Sequence, residues 1–139
     1  MSAVEVIENL IKIGTIAADA ADKNKKDGKF DYVGFFSSTA PNDIASAVNT
    51  ILNSLKQDDL QAAKDSVEKK QTDLLAGKQL HELSTEKLVQ YSSLADTKLT
   101  LQTAILKRAV EGDFFTWLVD GGGLSSIIKV AKVVVPLLV

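Results

Sequence analysis

GDFFTWLVDGGGLSSIIKVAKVVVPLLV, from Gly112 to Val139, is the most apolar stretch of a 139-residue chain. The architecture turns on what covers it. Three covers are open: the chain's own helices, another copy of the chain, or lipid. From Leu124 onward the stretch holds Lys129 and Lys132 and no acid, so its local charge is +2, against −4 on the remainder and −2 overall. An acidic body therefore ends in a faintly basic, oily segment.

As a helix, Leu124 to Val139 is about 24 Å long at a rise of about 1.5 Å per residue, short of the roughly 30 Å of a bilayer's hydrocarbon core. On a helical projection Ser125, Lys129, Lys132 and Pro136 share one narrow stripe, while Ile127, Ile128, Val130, Ala131, Val133, Val134 and Val135 occupy the rest. Holding either lysine at mid-bilayer costs about 2.5–3.5 kcal/mol. A solitary span is disfavoured, and burial against protein is favoured. The β-branched run IIKVAKVVV lowers helix propensity, a preference that full burial overrides. The preceding Gly121, Gly122 and Gly123 read as a hinge, with residues 120–123 separating the last helix from the body. The candidate contact residues for self-association or lipid are then Phe114, Phe115, Trp117, Leu118, Leu124, Ile127, Ile128, Val130, Val134 and Leu137. In the lipid version Phe114, Phe115 and Trp117 sit at the headgroup level.

The length suits one helical domain, residues 1–139, large enough to bury a core. Hydrophobic residues at 45% and charged residues at 24% are ordinary for a globular protein. An isoelectric point near 5.4 and the absence of a dense Lys/Arg block speak against nucleic acid as the main partner. The chain has no cysteine, which removes disulfides, thiolate metal sites and cysteine nucleophiles. MSAVEVIENLIKIG lacks a basic leader and carries Glu5 and Glu8 among its apolar residues, so it does not read as a signal peptide. The expectation is synthesis in the cytoplasm without classical export, or residence in an assembled particle.

Upstream, the apolar residues recur at helical spacing. A first helix runs from about Ala3 to Asp22, with Gly14 as its weak point. KNKKDGKFDYVGFFSSTAPN breaks the period and reads as a long connection pinned by Phe30, Tyr32, Phe35 and Phe36. Within it KFDYVGF has strand character without an evident partner. Helix two begins near Pro41 to Asp43, capped by Asn42 or Thr39, and continues through Ile44, Val48, Ile51, Leu52 and Leu55. Helix three carries Leu60, Ala63, Val67 and Leu74 on one face, with Asp65 and Lys69 paired on the wet side, and Gly77 ends it or lies within a longer rod. Ser84 is the N-cap of helix four, with Leu83 and Leu88 as a staple across it. Helix four places Leu88, Tyr91, Ala95, Leu99, Ile105, Leu106 and Ala109 on one broad face, which predicts that face for the core, and Gly112 closes it. The sum is an all-α bundle of four to five helices ending in a highly apolar one.

No motif specifies a reaction. DKNKKDGKFDY crowds Asp, Asn and Gly as a calcium loop does, but the register fails. With Asp22 and Asn24 as ligands one and three, Lys26 falls at position five, and the twelfth position is Val33 or Gly34 instead of Glu. His81 is the single histidine, too few for a helical zinc site or a di-metal carboxylate bundle, and nothing around Ser84, Ser92 or Ser93 forms a strained nucleophile turn. DGGGLSS opens a helix yet lacks the Lys-Ser/Thr ending of a phosphate loop. Asp58, Asp59, Asp65, Glu68 and Asp73 read as solvated helix charges. The expectation is therefore a non-enzymatic protein without metal or cofactor. It self-assembles into a homo-oligomer as a coat, shell or filament subunit through the C-terminal helix. The alternative is a membrane-active helical protein that docks or forms pores with residues 114–139.

Overall fold

The protein is described from a computed structural model, in which residues 2–21, 25–26, 29–30 and 42–139 are described. The fold is all-α. Among the described residues, six helices follow in order: α1 (Ala3–Ala21), α2 (Asn42–Asn53), α3 (Gln57–Leu75), α4 (Thr85–Lys107), α5 (Glu111–Val119) and α6 (Gly123–Leu138). Between α1 and α2, a two-residue ladder pairs β1 (Lys25–Lys26) with β2 (Lys29–Phe30) in antiparallel register, and β2 lies against α5.

Four of the helices form a ring in which α1 packs on α3, α3 on α4, α4 on α6, and α6 back on α1. Neighbours run antiparallel. In α3 and α4, Gln57 Nε2 donates to the carbonyl oxygen of Ile105 at 2.9 Å, while Lys98 reaches Glu68 at 3.3 Å, so residue numbers rise on one helix as they fall on the other. Along α1 and α6, Gly14 faces Leu124, whereas Ser2 and Ala3 share a surface hollow with Leu137 to Val139. The short α2 and α5 pack on α1 outside this ring.

The apolar positions explain the arrangement. Val6, Leu10, Ile13 and Ala17 recur along the inner face of α1, and Leu60, Ala63 and Val67 along that of α3. They join Leu94, Leu101 and Ala104 of α4, Phe114, Phe115 and Leu118 of α5, and Ile127, Val130 and Val134 of α6 in one core cluster. At roughly 25 cal/mol per Å² of apolar area removed from water, each such side chain contributes about 1.5–3 kcal/mol against the chain entropy of folding. Packing is close. A void of about 10 Å³ between α1, α4 and α6 is barely the size of a water and is lined by Ile7, Leu10, Leu101, Ile127 and other mostly apolar side chains. Its polar lining groups are already engaged: Thr97 Oγ1 donates to Ser93 O at 2.8 Å and Thr100 Oγ1 to Asp96 O at 2.9 Å.

Some boundaries match the sequence expectation and others differ. Helices three and four are separate: α3 stops at Leu75, Ala76 turns left-handed with φ 50°, and a 3-10 turn, Leu80–Glu82, leads to α4. Ser84 caps α4 as expected, accepting from the Lys87 amide at 3.3 Å. Leu83 is buried, but its staple partner Leu88 is exposed. Gly112 does not close helix four. The helix ends at Lys107 with Arg108 as its C-cap, and Gly112 lies inside α5, whose DFFTWLV segment the sequence left unassigned. On α3, Asp65 accepts from Gln61 Nε2 at 3.0 Å, the residue four positions before it.

Candidate association surface

The residues singled out at the C-terminal end face inward more than outward. Phe114, Phe115, Leu118, Ile127, Val130 and Val134 are buried in the chain's own core. Trp117, Leu124 and Leu137 are half-buried against the same cluster, and Ile128 is the exposed member of the set, at 46%. The reason is the ring. Helix α6 is one of its four staves, so its most apolar side is consumed by α1 and α4 and is not free for another molecule. The stripe of Ser125, Lys129, Lys132 and Pro136 does face solvent, as the helical projection predicts.

The three glycines form the corner between α5 and α6. Gly122 is the N-cap of α6 with φ 83°, a left-handed conformation that costs any residue with a Cβ. At Gly123 a Cβ would come within 2.7 Å of the Trp117 indole, so the tryptophan lies flat on the glycine. Gly121 donates its amide to the carbonyl oxygens of Thr116 and Trp117, each at 3.0 Å. These contacts tie α6 to α5 at the position expected to be a hinge. Among the described residues, no single helix is long and apolar enough to cross a membrane. The helices α5 and α6 meet that measure only together, bent by 64° at this corner.

Among the described residues, half of the exposed large apolar side chains, Leu88, Val89, Leu99 and Leu106, lie on α4. Its inner face presents Leu94, Thr97, Leu101 and Ala104 to the core. Directly opposite, Leu88, Leu99 and Leu106 point to solvent, with Leu99 69% and Leu106 67% exposed. Val89 and Val110 flank them and are also exposed. This corrects the expectation that Leu88, Leu99, Leu106 and Ala109 face the core: the helix carries apolar residues on two opposite sides, and the bundle takes the other one. Of that set only Tyr91, Ala95 and Ile105, which lie toward the flanks, are half-buried. A row of leucines on the wet side of a helix is a recognised mark of an interaction surface.

Elsewhere the structure leaves the motifs apart. His81 is exposed in the 3-10 turn. Asp59 accepts from the Lys56 amide at 3.3 Å, capping α3, and Glu68 pairs with Lys98. Asp58, Asp65 and Asp73 lie exposed along α3. Among the described residues, no three His, Cys, Asp or Glu side chains converge in a manner that could hold a metal ion. Asp22, Asn24, Val33 and Gly34 of the calcium register, the aromatics Tyr32, Phe35 and Phe36, the cap candidate Thr39 and the first-turn Pro41 lie outside the described residues.

Compared with protein-family models, with curated proteins and with solved structures, the chain matches none. The surface must be read from its own chemistry. The sequence signal that locates it is the second apolar period of α4: Leu88, Leu99 and Leu106 recur on one side while Leu94, Leu101 and Ala104 recur on the other. A helix with two apolar stripes has one to spare.

Proposed function

We propose that this chain is a non-enzymatic structural module that self-associates, a building block of the coat, shell or filament kind. The observation that carries it is the outward row of Leu88, Leu99 and Leu106 on α4, a coiled-coil-like surface left uncovered by a bundle that has already satisfied its own core. The association surface is thus α4 in place of the C-terminal helix. A twofold contact through one such face closes at two copies. Growth into a shell or filament therefore uses a second face, and on α6 the outward side presents Ile128 beside Lys129 and Lys132.

The test is sedimentation equilibrium over a wide concentration range. The expected result is a mass that rises with concentration for the natural chain and stays monomeric for the Leu99→Lys, Leu106→Lys double variant, with helical circular dichroism equal in both. A natural chain that remains monomeric at every concentration overturns the proposal.

A second reading has its own observation. Helices α5 and α6 together have the length and hydropathy of a broken span, so a membrane-active role through residues 114–139 is the competing function. It requires those helices to leave the core, which the buried positions of Phe114, Phe115, Leu118, Ile127, Val130 and Val134 oppose.

A further inference from the structure

We propose that the groove between α3 and α4 is a binding site for a small carboxylate with an apolar body. The groove has a volume of about 310 Å³, within the range of small-molecule pockets. Its polar lining is Lys64 and Gln71 from α3 and Tyr91, Lys98 and Gln102 from α4, and its apolar lining is Ala95 and Leu99. The proposal does not depend on self-association.

Gln71 is the residue that marks the groove as a site. It continues the inner row of α3 after Leu60, Ala63 and Val67, a position where the helical period calls for an apolar side chain. Gln71 is 8% exposed, yet its carboxamide makes no hydrogen bond among the described residues. Its amide atoms are not sealed off, and the side chain opens on the groove. A carboxamide presents two donors and an acceptor, and a nearly buried one without a partner is costly to keep. An incoming ligand supplies that partner. The half-buried side chains of Tyr91 and Gln102 likewise make no hydrogen bond among the described residues, so three polar groups converge on the groove with their bonding capacity unused.

Charge sets the class of ligand. Lys98 is tied to Glu68 at 3.3 Å, and the two charges offset each other. Lys64 is half-buried and has no ion-pair partner among the described residues. The lining therefore carries one uncompensated positive charge, which matches a single carboxylate better than a dianion. Because α3 and α4 are antiparallel with Glu68 beside Lys98, Lys64 comes level with Gln102 at one end, and Gln71 lies toward Tyr91 at the other. Lys64 and Gln71 are separated by about 10 Å along the helix axis. The carboxylate goes to Lys64 and Gln102, the apolar body lies on Ala95 and Leu99, and a hydrogen-bonding group at the far end meets Gln71 and Tyr91.

The probe is para-hydroxyphenylbutyrate, which carries a carboxylate and a phenol at its two ends, and its primary amide is the uncharged control. Each is titrated into the isotope-labelled full chain and followed through the backbone amide resonances. The expected result is saturable shifts confined to α3 and α4, with a Kd of about 0.1–1 mM for the carboxylate. Binding weakens by about tenfold or more for the primary amide and for the Lys64→Gln chain, the loss of one charge-assisted hydrogen bond. Gln71→Leu is expected to abolish binding with an unchanged or higher melting temperature, an outcome that a purely structural role for the carboxamide would not give. Lys64→Gln and Tyr91→Phe, both at half-buried positions, decide the matter if Gln71→Leu does not fold. Shifts that do not saturate or that lie away from α3 and α4 overturn the proposal. So does equal affinity for the primary amide, or the natural affinity in Lys64→Gln or in a folded Gln71→Leu chain.

Discussion

The Nε of Arg108 donates to the main-chain carbonyl oxygen of Leu55 across 2.9 Å, joining residues 53 positions apart. Its Nη2 reaches the Leu52 carbonyl at 3.3 Å, and the guanidinium lies 5.7 Å from the centre of the Phe114 ring. One side chain at the C-cap of α4 thus supplies donors to the carbonyl end of α2 and rests on α5. The end of a helix carries unpaired carbonyls that a cation satisfies well. Arg108→Met is expected to cost about 1.5–3 kcal/mol, the range for hydrogen bonds to charged groups. Arg108→Lys recovers only part, since an ammonium cannot reproduce the planar fork. Urea unfolding measures both, and an unchanged midpoint for Arg108→Met would show that these bonds contribute nothing.

At the corner between α5 and α6, the two central substitutions act through different physics. Gly122→Ala forces a Cβ into a left-handed backbone and is expected to cost about 1–2 kcal/mol. Gly123→Ala is the more damaging, because the Trp117 ring must move from its place 2.7 Å from the new Cβ. Trp117 is the only tryptophan. A change in its near-ultraviolet dichroism with Gly123→Ala, and little change with Gly122→Ala, is the outcome that distinguishes them.

The two faces of α4 are expected to answer oppositely to the same change. Leu101→Ala opens a cavity in the core and costs about 2–5 kcal/mol. Leu99→Ala leaves stability within about 0.5 kcal/mol, as for a surface position, while weakening self-association. Thermal unfolding of dilute protein gives the first quantity and sedimentation the second. Equal destabilisation by both would mean that the outward assignment of Leu99 is mistaken.

Deletion of residues 124–139 removes one stave of the ring and the partner of α1 and α4. The truncated chain is expected to lose cooperative unfolding, because Leu10, Leu101 and Phe115 belong to the cluster that α6 completes. A truncated chain that still melts in a sharp transition would show α6 to be an appendage, and would return it to the role of an association arm.

Membrane activity makes a separate demand. For α5 and α6 to enter lipid they must expose Phe114, Phe115 and Leu118, which are fully buried at 0% exposure. We expect the Trp117 emission to shift little when neutral or anionic vesicles are added, with no release of trapped dye. A large blue shift with dye release would make the membrane reading the primary one.

The all-α class, the four principal helices, the Ser84 cap and the solvent-facing lysine stripe of α6 were legible in the amino-acid order, because each depends on local periodicity or on groups a few residues apart. The DFFTWLV helix escaped because nine residues, Glu111–Val119, give too short a period to stand out. Which face of α4 turns inward was beyond reach for a deeper reason. Leu88, Leu99 and Leu106 satisfy the helical period as well as Leu94, Leu101 and Ala104 do, so no local rule chooses between them. The choice follows from the ring: with α3 on one side and α6 on the other, only one face of α4 can meet α1 across the core. Gly14 shows the same division, a weakness when read along α1 and a point of close approach once Leu124 lies against it. Local chemistry determined the helices, and long-range packing decided which of their apolar faces were left for another molecule.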